Sequence, residues 1–531
     1  MAAKKSSSSK NAALKLGVFE SELESEERSF LTPYPYPDLV FGLVGPIGVS
    51  LDPVIAVLKS KLRTLDYGSS VIRLSECIEE FFGSNHKKEP EHKRIKALMD
   101  EGTKLRVEGE RGDAVALLAI AAIANARATD KKKKSAHRAF ILRSLKHPHE
   151  VETLRTVYGK GFFLISVYSP RDVRVAALSE RITKSQFGNG SNARAKAEKL
   201  VERDEVEENT SLGQDVKDAF PMADLFIDGR DRASLDSQVS RFLELLFGNV
   251  FLTPTRDEHG MYHARSAALR SADLNRQVGA AILHPEGDLI AVGCNDVPKA
   301  GGDLYWPSDK GDARDFLRGI DSMAEERVQV LGELLERLKE GGLLRAKNKK
   351  LDFDNLVHEL ISGDKKFVLK GSRVMNLLEF GRSVHAEMAG LMTAARLGVS
   401  VQGGTLYCTT FPCHMCARHI VASGIKRVVY IEPYPKSKAK QLHQDAIVVD
   451  PVTPSNSHVS FEPFEGVAPR QYQDIFDARD TRKDAHGKAS DWQGSARPRF
   501  LRFATVYREI ETAITAIEIP RLAKKLKVKL S

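Results

Sequence analysis

Two short motifs in the last third of the chain carry the residue types of a metal site. His385 and Glu387 are separated by one residue, and Cys413 and Cys416 lie three residues apart after Pro412. At the start of a helix, that spacing places both sulfurs on one face, and the helix N-terminus favours their thiolate form. We therefore predict that His385, Cys413 and Cys416 bind one zinc ion.

Three protein ligands leave a fourth coordination position open, which is typical of a catalytic zinc site. Zinc in such a site activates a water molecule at neutral pH. Glu387 is not needed as a ligand, and we predict that it transfers protons during the reaction. Two alternatives stay open: these residues are unrelated core positions, or the zinc is structural, with His414 or His419 as a fourth ligand.

The composition excludes several classes of protein. The 531 residues are 42% hydrophobic and 28% charged, as in ordinary globular proteins, and the length predicts several domains. No apolar run reaches the roughly 18 residues needed to cross a bilayer, and no secretory signal is visible, so we expect a cytoplasmic protein without a membrane partner. The five cysteines are too few for a disulfide framework. The net charge of +9 favours phosphate-bearing partners, either nucleotides or nucleic acid.

The N-terminal part alternates strand and helix patterns, which predicts an α/β domain with a parallel sheet. Its first strand leads into the turn GLVGPIGVS at 42–50, where Gly45, Gly48 and Ser50 are candidates for binding a phosphate through backbone N–H groups. The turn departs from the Walker pattern, because Val49 replaces the lysine and Leu43 replaces the first glycine. ATP hydrolysis is therefore not expected. Nucleotide binding without turnover and a merely structural turn both stay open.

A second α/β unit follows, with a helix around 263–276, two strand patterns joined by a turn at 285–288, and alternating helices and strands around the metal motifs. Between 307 and 373, apolar residues at helical spacing, from Phe316 to Leu338, predict a helical insertion containing one long helix. We predict a polar tail (1–35), a first domain (36–232), a helix and connector (233–260), a zinc-binding domain (261–470) and a C-terminal extension with a basic end (471–531).

The metal motifs, with RSADLNRQVGAAI at 270–282, GCNDVP at 293–298 and ASGIKRVVYIEPYPKS at 422–437, resemble the deoxycytidylate deaminases of the cytidine deaminase superfamily. The resemblance spans 261–450, apart from the insertion. It implies a three-layer α/β/α fold, one catalytic zinc and a deoxycytidine nucleotide substrate. It also implies that Asn295 contacts the sugar. The serine, alanine and aspartate at 271–273 stand where relatives often have a cysteine, which argues against a second, structural zinc.

Four further residues are candidates for substrate binding. Tyr305 and Trp306 have the side chains needed to flank a base, although aromatic residues near a turn are equally common in a core. Lys436 and Ser437 offer donors suited to a phosphate, although a solvated loop has the same composition.

The first domain resembles a degenerate P-loop nucleotide kinase, with Arg171 and Arg174 in the place of lid arginines. Both domains together resemble bacterial anti-phage deoxycytidine nucleotide deaminases. The resemblance implies conversion of dCTP and dCMP to dUTP and dUMP plus ammonia, which depletes dCTP. It also implies a homo-oligomer restrained by a regulatory inhibitor or a nucleotide effector. The alternatives are a housekeeping dCMP deaminase that supplies dUMP, a nucleic-acid cytosine or adenine deaminase, and a nucleotide sensor that zinc merely stabilises.

Overall fold

The computed structural model describes residues 37–529, except for 130–136, 187–191, 206, 208–211, 345–351, 370–371, 377–379, 435, 452–454, 479–480, 494–495 and 500–504. The predicted polar tail at 1–35 lies outside the described residues. The strands, in chain order, are β1 (Leu39–Val44), β2 (Gly68–Arg73), β3 (Arg138–Arg143), β4 (Phe162–Tyr168), β5 (Leu225–Asp228), β6 (Gly279–Leu283), β7 (Leu289–Cys294), β8 (Thr405–Thr410), β9 (Arg427–Glu432), β10 (Ile447–Val449), β11 (Val459–Pro463) and β12 (Gly466–Val467).

The helices surround these strands, and none of those in the described ranges is long and apolar enough to cross a membrane. They are α1 (Asp52–Thr64), α2 (Leu74–Phe82), α3 (Glu91–Gly109), α4 (Ala114–Thr129), α5 (Pro148–Tyr158), α6 (Arg171–Ser185), α7 (Ala193–Glu205), α8 (Val216–Ala219), α9 (Arg232–Leu246), α10 (Arg256–Ala268), α11 (Asp315–Arg318), α12 (Ser322–Glu340), α13 (Phe353–Ile361), α14 (Ala386–Leu397), α15 (His414–Ala422), α16 (Ala439–Leu442), α17 (Tyr472–Phe476), α18 (Thr505–Ala513) and α19 (Ile519–Lys525).

The first sheet has the strand order β12-β5-β4-β1-β3-β2 and is parallel except for β12. Successive residues of a strand point to opposite faces, and β1 follows this rule. Val40 and Val44 pack into the apolar core that α2, α4 and α5 cover, whereas Leu39 and Phe41 pack into the core that α1 and α9 cover. Both faces are therefore buried, which explains why β1 reads as an uninterrupted apolar run. The predicted parallel α/β sheet is confirmed.

The second sheet has the order β10-β11-β9-β8-β6-β7, in which β6 runs antiparallel to its neighbours β7 and β8 and the other pairs are parallel. Ala281 and Leu283 of β6 face the core that contains α10. Ala280 and Ile282 face the core that contains the starts of α14 and α15. Helices on both faces of a sheet give three layers, and α14 and α15 are the two that carry the metal motifs.

Two predicted helices differ from the structure. The long helix expected in the insertion is broken, because α11 ends at Gly319, which has φ +78°, and α12 begins after Asp321 caps the next helix start. The helix expected around 263–276 begins earlier and ends at Ala268. Thr255 and Glu258 form a capping box that starts it. The predicted turn at 285–288 is confirmed, since it joins β6 and β7.

The segment that follows the second sheet returns to the first. Strand β12 pairs antiparallel with β5, and the buried carboxylate of Glu258 accepts a hydrogen bond from the backbone N–H of Val467 at 2.8 Å. Phe226 of β5 and Phe464 meet edge to face, with ring centroids 5.7 Å apart. The two sheets therefore share one apolar core.

A buried ion pair in the first domain makes its stability sensitive to substitution. Arg106 and Glu150 are 2% and 1% exposed, and the Arg106 Nη1 group donates to Glu150 Oε1 at 3.0 Å. We expect Glu150→Ala to lower the free energy of unfolding by about 3–5 kcal/mol, because the guanidinium stays buried without its partner. Urea denaturation measures this. The matched change Glu198→Ala, which removes a solvent-facing pair with Arg194, should cost at most about 0.5 kcal/mol. Equal losses in the two variants would contradict the prediction.

Candidate metal centre

Three potential metal ligands meet where α14 and α15 begin. The Nδ1 atom of His385 lies 3.2 Å from Cys413 Sγ and 3.4 Å from Cys416 Sγ. A zinc ion bound tetrahedrally at normal bond lengths holds a nitrogen and a sulfur ligand about 3.5 Å apart, so these distances suit a shared ion. Among the described residues, these three form the one group of three or more histidine, cysteine or acidic side chains with ligand atoms this close. The cluster fits Zn²⁺.

The fold brings the two helix starts together through a close contact and a cap. A Cβ atom on Gly293 of β7 would lie 2.3 Å from the carbonyl oxygen of Ala386, so only glycine lets α14 approach the sheet this closely. Cys413 occupies the N-cap position of α15, where its sulfur accepts the N–H of Cys416 at 3.5 Å. His385 occupies the N-cap position of α14. Both halves of the centre therefore sit at positive helix ends.

The surroundings favour the thiolate form of Cys413, whereas the hydrogen bond with Cys413 raises the pKa of the Cys416 thiol. Hydrogen bonds from Cys416 and His385 lower the pKa of the Cys413 thiol well below its ordinary value. The hydrogen bond to Cys413 raises the pKa of His385 to about 9. Cys408, in the neighbouring strand β8, is fully buried, and its burial raises the pKa of its thiol. A low thiol pKa is typical of a metal-binding or reactive cysteine, so this property separates Cys413 from the core residue Cys408.

Glu387 lies in the first turn of α14 and is 4% exposed. Burial raises the pKa of its carboxyl group, and the negative charge of Cys413 raises it further. A carboxyl group whose pKa is shifted toward neutrality can both accept and donate a proton, which is the requirement for general acid–base work. Its side chain lines the cavity described next.

The cluster opens into a cavity of about 1890 Å³ between the two sheets. Single small-molecule sites usually occupy about 300–1,000 Å³, so this cavity has room for more than one ligand. Its lining includes His385, Glu387 and Cys413 from the second unit, and Arg171 and Arg174 from α6 of the first. The cavity is therefore common to both parts of the chain.

Three sequence candidates for substrate binding line this cavity. Asn295 is 8% exposed, and its side chain accepts the N–H of Val278 at 2.7 Å and donates to the carbonyl of Arg276 at 2.8 Å, so it fixes the loop before β6. Ser437 donates its hydroxyl to the carbonyl of Pro412 at 2.8 Å and so braces the residue before Cys413. Lys436 also lines the cavity.

Tyr305 and Trp306 are absent from the residues that line the cavity within the described ranges. Trp306 is 46% exposed and stacks on the guanidinium of Arg270, 3.6 Å from the ring centroid. Two other aromatic side chains, Phe411 and Tyr434, line the cavity beside the cluster. Sequence reasoning missed them, although Phe411 directly precedes the proline of the cysteine motif and Tyr434 lies in the family-like stretch at 422–437.

The predicted phosphate loop lies at the carboxyl end of β1. Gly48 has φ +94°, and a Cβ atom there would lie 2.5 Å from the carbonyl oxygen of Arg174, so the loop packs tightly against α6. Gly45 is buried and Ser50 is exposed. Pro46, between the two glycines, lines the cavity.

Comparison with known families assigns this part of the chain. Residues 254–432 match the family described as the cytidine and deoxycytidylate deaminase zinc-binding region. This segment includes both motifs and the cluster that they form. The resemblance to the superfamily predicted from the sequence is confirmed for this region.

Individual relatives are similar over limited stretches. The deoxycytidylate deaminase of enterobacteria phage T2 is 49% identical over 55 residues, which are 10% of this chain and 29% of the phage protein. The chain thus spans under a third of the length of that relative. A probable deoxycytidylate deaminase of Drosophila melanogaster is 26% identical over 198 residues, 36% of this chain and 70% of the fly protein. The crystal structure of the dCMP deaminase from cyanophage S-TIM5 in complex with dCMP and dUMP aligns with 17% identity and a TM-score of 0.22, covering 40% of this chain and 98% of that one.

The two kinds of buried cysteine give a direct test of the metal centre. We expect wild-type protein and Cys408→Ala to contain about one zinc ion per chain, and Cys413→Ala to contain almost none, because two remaining ligands hold the ion weakly. Elemental analysis by mass spectrometry, after dialysis against a weak chelator, measures this. A full zinc complement in Cys413→Ala would contradict the assignment.

Proposed function

We propose that this protein is a zinc-dependent hydrolase that deaminates free deoxycytidine nucleotides, converting dCTP, dCMP or both to dUTP or dUMP plus ammonia. One observation carries the proposal: a buried carboxyl group, Glu387, lies beside a three-ligand cluster that fits zinc and opens into a large cavity. The match of residues 254–432 to a deaminase zinc-binding region supports it.

The proposed mechanism assigns each residue a task. His385, Cys413 and Cys416 hold the zinc ion, which when bound serves as a Lewis acid that activates water. Glu387 would accept one proton from the attacking water and deliver it to the ring nitrogen of cytosine. It would then take the second proton from the hydroxyl group now bonded to C4 and pass it to the amino group, which leaves as ammonia while the C4 carbonyl forms. Burial raises the pKa of its carboxyl group, and this direction favours a group that must hold a proton before delivering it.

The remaining cavity residues are proposed to position the nucleotide. Phe411 and Tyr434 provide apolar surface beside the cluster for the base. Asn295 holds the loop that approaches the sugar and retains hydrogen-bonding capacity. Lys436 provides positive charge toward the phosphate, and Ser437 keeps the cysteine motif in place. We do not include Tyr305 and Trp306 among these residues.

The first domain is proposed to be a degenerate P-loop kinase-like domain with a loop at Gly45, Gly48 and Ser50 that meets phosphate groups without hydrolysing them. Its parallel sheet, with a glycine-containing loop after the central strand, supports this assignment. We propose the domain limits predicted from the sequence: 36–232 for this domain and 261–470 for the zinc-binding domain.

The biological role that we propose is anti-phage defence by depletion of the dCTP pool, in the cytoplasm and as a homo-oligomer. Support comes from the resemblance of the two-part chain to bacterial anti-phage deaminases. A housekeeping deaminase would need only the second unit, whereas the cavity here is lined by residues of both units.

Product analysis tests the reaction. Purified, zinc-loaded protein is incubated with dCTP, dCMP, CTP or a single-stranded oligonucleotide, and products are identified by mass spectrometry. We expect uracil deoxynucleotides from the wild type, and a loss of about 100-fold or more in Glu387→Gln, because the variant cannot relay protons. Glu286→Gln, in the exposed turn between β6 and β7, should match the wild type.

Other outcomes would favour the alternatives. Full activity of Glu387→Gln would contradict its role. Deamination of the oligonucleotide alone would favour a nucleic-acid deaminase, and tight nucleotide binding without ammonia release would favour a sensor.

Phage challenge tests the biological role separately. Cells that express the wild type should form fewer phage plaques and hold less dCTP after infection than cells that express Glu387→Gln. Equal plating on both strains, with active enzyme present, would leave a housekeeping function.

A further inference from the structure

The loop at 45–50 stands where open α/β sheets bind ligands. In the order β5-β4-β1-β3-β2, the chain leaves β1 toward one edge of the sheet and leaves β4 toward the other. Ligands bind in the crevice at such a switch point, outside the carboxyl ends of the strands. Pro46 in the loop after β1 and Ser169 at the end of β4 both line the cavity.

A carboxylate of the protein itself occupies this crevice. Asp204, in the last turn of α7, is 0% exposed. Its Oδ2 atom accepts the loop N–H of Ile47 at 2.6 Å, and its Oδ1 atom lies 2.9 Å from Lys146 Nζ. Lys146 also donates to the carbonyl of Gly45 at 3.0 Å. A backbone N–H and a lysine ammonium are the contacts that a phosphate group makes in such a loop.

The next residue engages a second group of cations. Glu205 accepts a hydrogen bond from Arg174 Nη2 at 2.6 Å and lies 3.8 Å from Arg171 Nε. Arg174 is only 6% exposed, and its Nη1 group is buried with no hydrogen-bond partner among the described residues. Since Arg174 also lines the cavity, this unpaired donor can serve an anion that enters from the cavity.

Helix energetics do not explain two consecutive acids at this place. The carboxyl end of a helix carries partial negative charge, so Asp204 and Glu205 in the last turn of α7 are unfavourable for the helix itself. Among the described residues, Asp204 contacts the loop and Lys146, and Glu205 contacts Arg171 and Arg174. The pair therefore substitutes for a ligand with two adjacent negative groups.

We propose that the loop at 45–47, Lys146, Arg171 and Arg174 form a polyphosphate-binding site that Asp204 and Glu205 occupy in cis. A linear triphosphate, as in a nucleoside triphosphate, binds there by displacing the last turn of α7. A triphosphate has adjacent anionic groups, as Asp204 and Glu205 have, but it carries more negative charge. It can therefore bind Lys146, Arg171 and Arg174 more strongly.

Binding at this site would change the catalytic cavity. Arg171, Arg174, Lys199 and Glu205, from α6 and α7, line the same cavity as Glu387. Displacement of the last turn of α7 would therefore alter the lining of the cavity that also contains Glu387. This consequence rests on the proposed deaminase function, whereas the binding site itself rests on the proposed phosphate-binding loop of the first domain.

Calorimetry with inorganic tripolyphosphate and the full-length protein tests the site. We expect the double variant Asp204→Asn, Glu205→Gln to bind about tenfold or more tighter than the wild type, because the wild-type site is closed for most of the time. The control Asp172→Asn, Glu198→Gln removes the same charge from solvent-facing positions of α6 and α7 and should bind as the wild type does. Adding Lys146→Gln to the test variant should abolish the gain. An equal gain in the control, or no gain in the folded test variant, would overturn the proposal.

Hydrogen exchange of the wild-type protein tests the displacement without any variant. Saturating tripolyphosphate should accelerate amide exchange in the last turn of α7 and leave the exchange of α15 unchanged. Slower or unaltered exchange in that turn would overturn the proposal. If the protein shows no deaminase activity and yet meets the binding and exchange criteria, only the proposed deaminase activity fails.

Discussion

The metal centre depends on two helix N-termini converging to within hydrogen-bonding distance. His385 begins α14 and Cys413 begins α15, and the atoms that would bind zinc lie 3.2 Å apart. Helix α14 can reach this point only because Gly293 offers no side chain to the helix backbone. Once both helix starts are fixed, the backbone N–H of Cys416 and the helix dipole favour the thiolate form of Cys413. Glu387 follows from the same geometry, since the first turn of α14 carries it into the cavity.

Local sequence signals were sufficient for this part of the molecule. The spacings from His385 to Glu387 and from Cys413 to Cys416 are short, so the helix period alone places each pair. The turn at 285–288 and the parallel first sheet were likewise predictable, because they depend on neighbouring residues and on apolar runs. The break at Gly319 was not predicted, because apolar residues continue at helical spacing on both sides of it and only the glycine marks the end.

Contacts between distant parts of the chain could not be predicted in the same way. Strand β12 has two residues, and its partner β5 lies more than 200 positions earlier in the sequence. A strand this short has no periodic pattern from which it could be predicted. The exclusion of Trp306 from the cavity has a similar cause. Its ring stacks on the guanidinium of Arg270. This tertiary contact determines where the side chain lies, and the closeness of Trp306 in sequence to the family-like stretch does not reveal it. Phe411 and Tyr434 reach the cavity because the fold brings the ends of β8 and β9 together.

The backbone N–H groups of the loop after β1 can be hydrogen-bonded in two ways. A backbone N–H group that is buried needs a partner, and Ile47 in this loop is half-buried. A bound phosphate provides one partner, and a carboxylate from the same chain provides another. In this fold Asp204 takes that place, with Lys146 beside it. An acidic residue at the carboxyl end of a helix is unfavourable for the helix dipole. A polyphosphate with more negative charge can therefore replace Asp204 at this contact. The loop itself lacks the Walker lysine. The ammonium group beside the loop comes instead from Lys146, after β3, and it donates to Asp204 of the same chain.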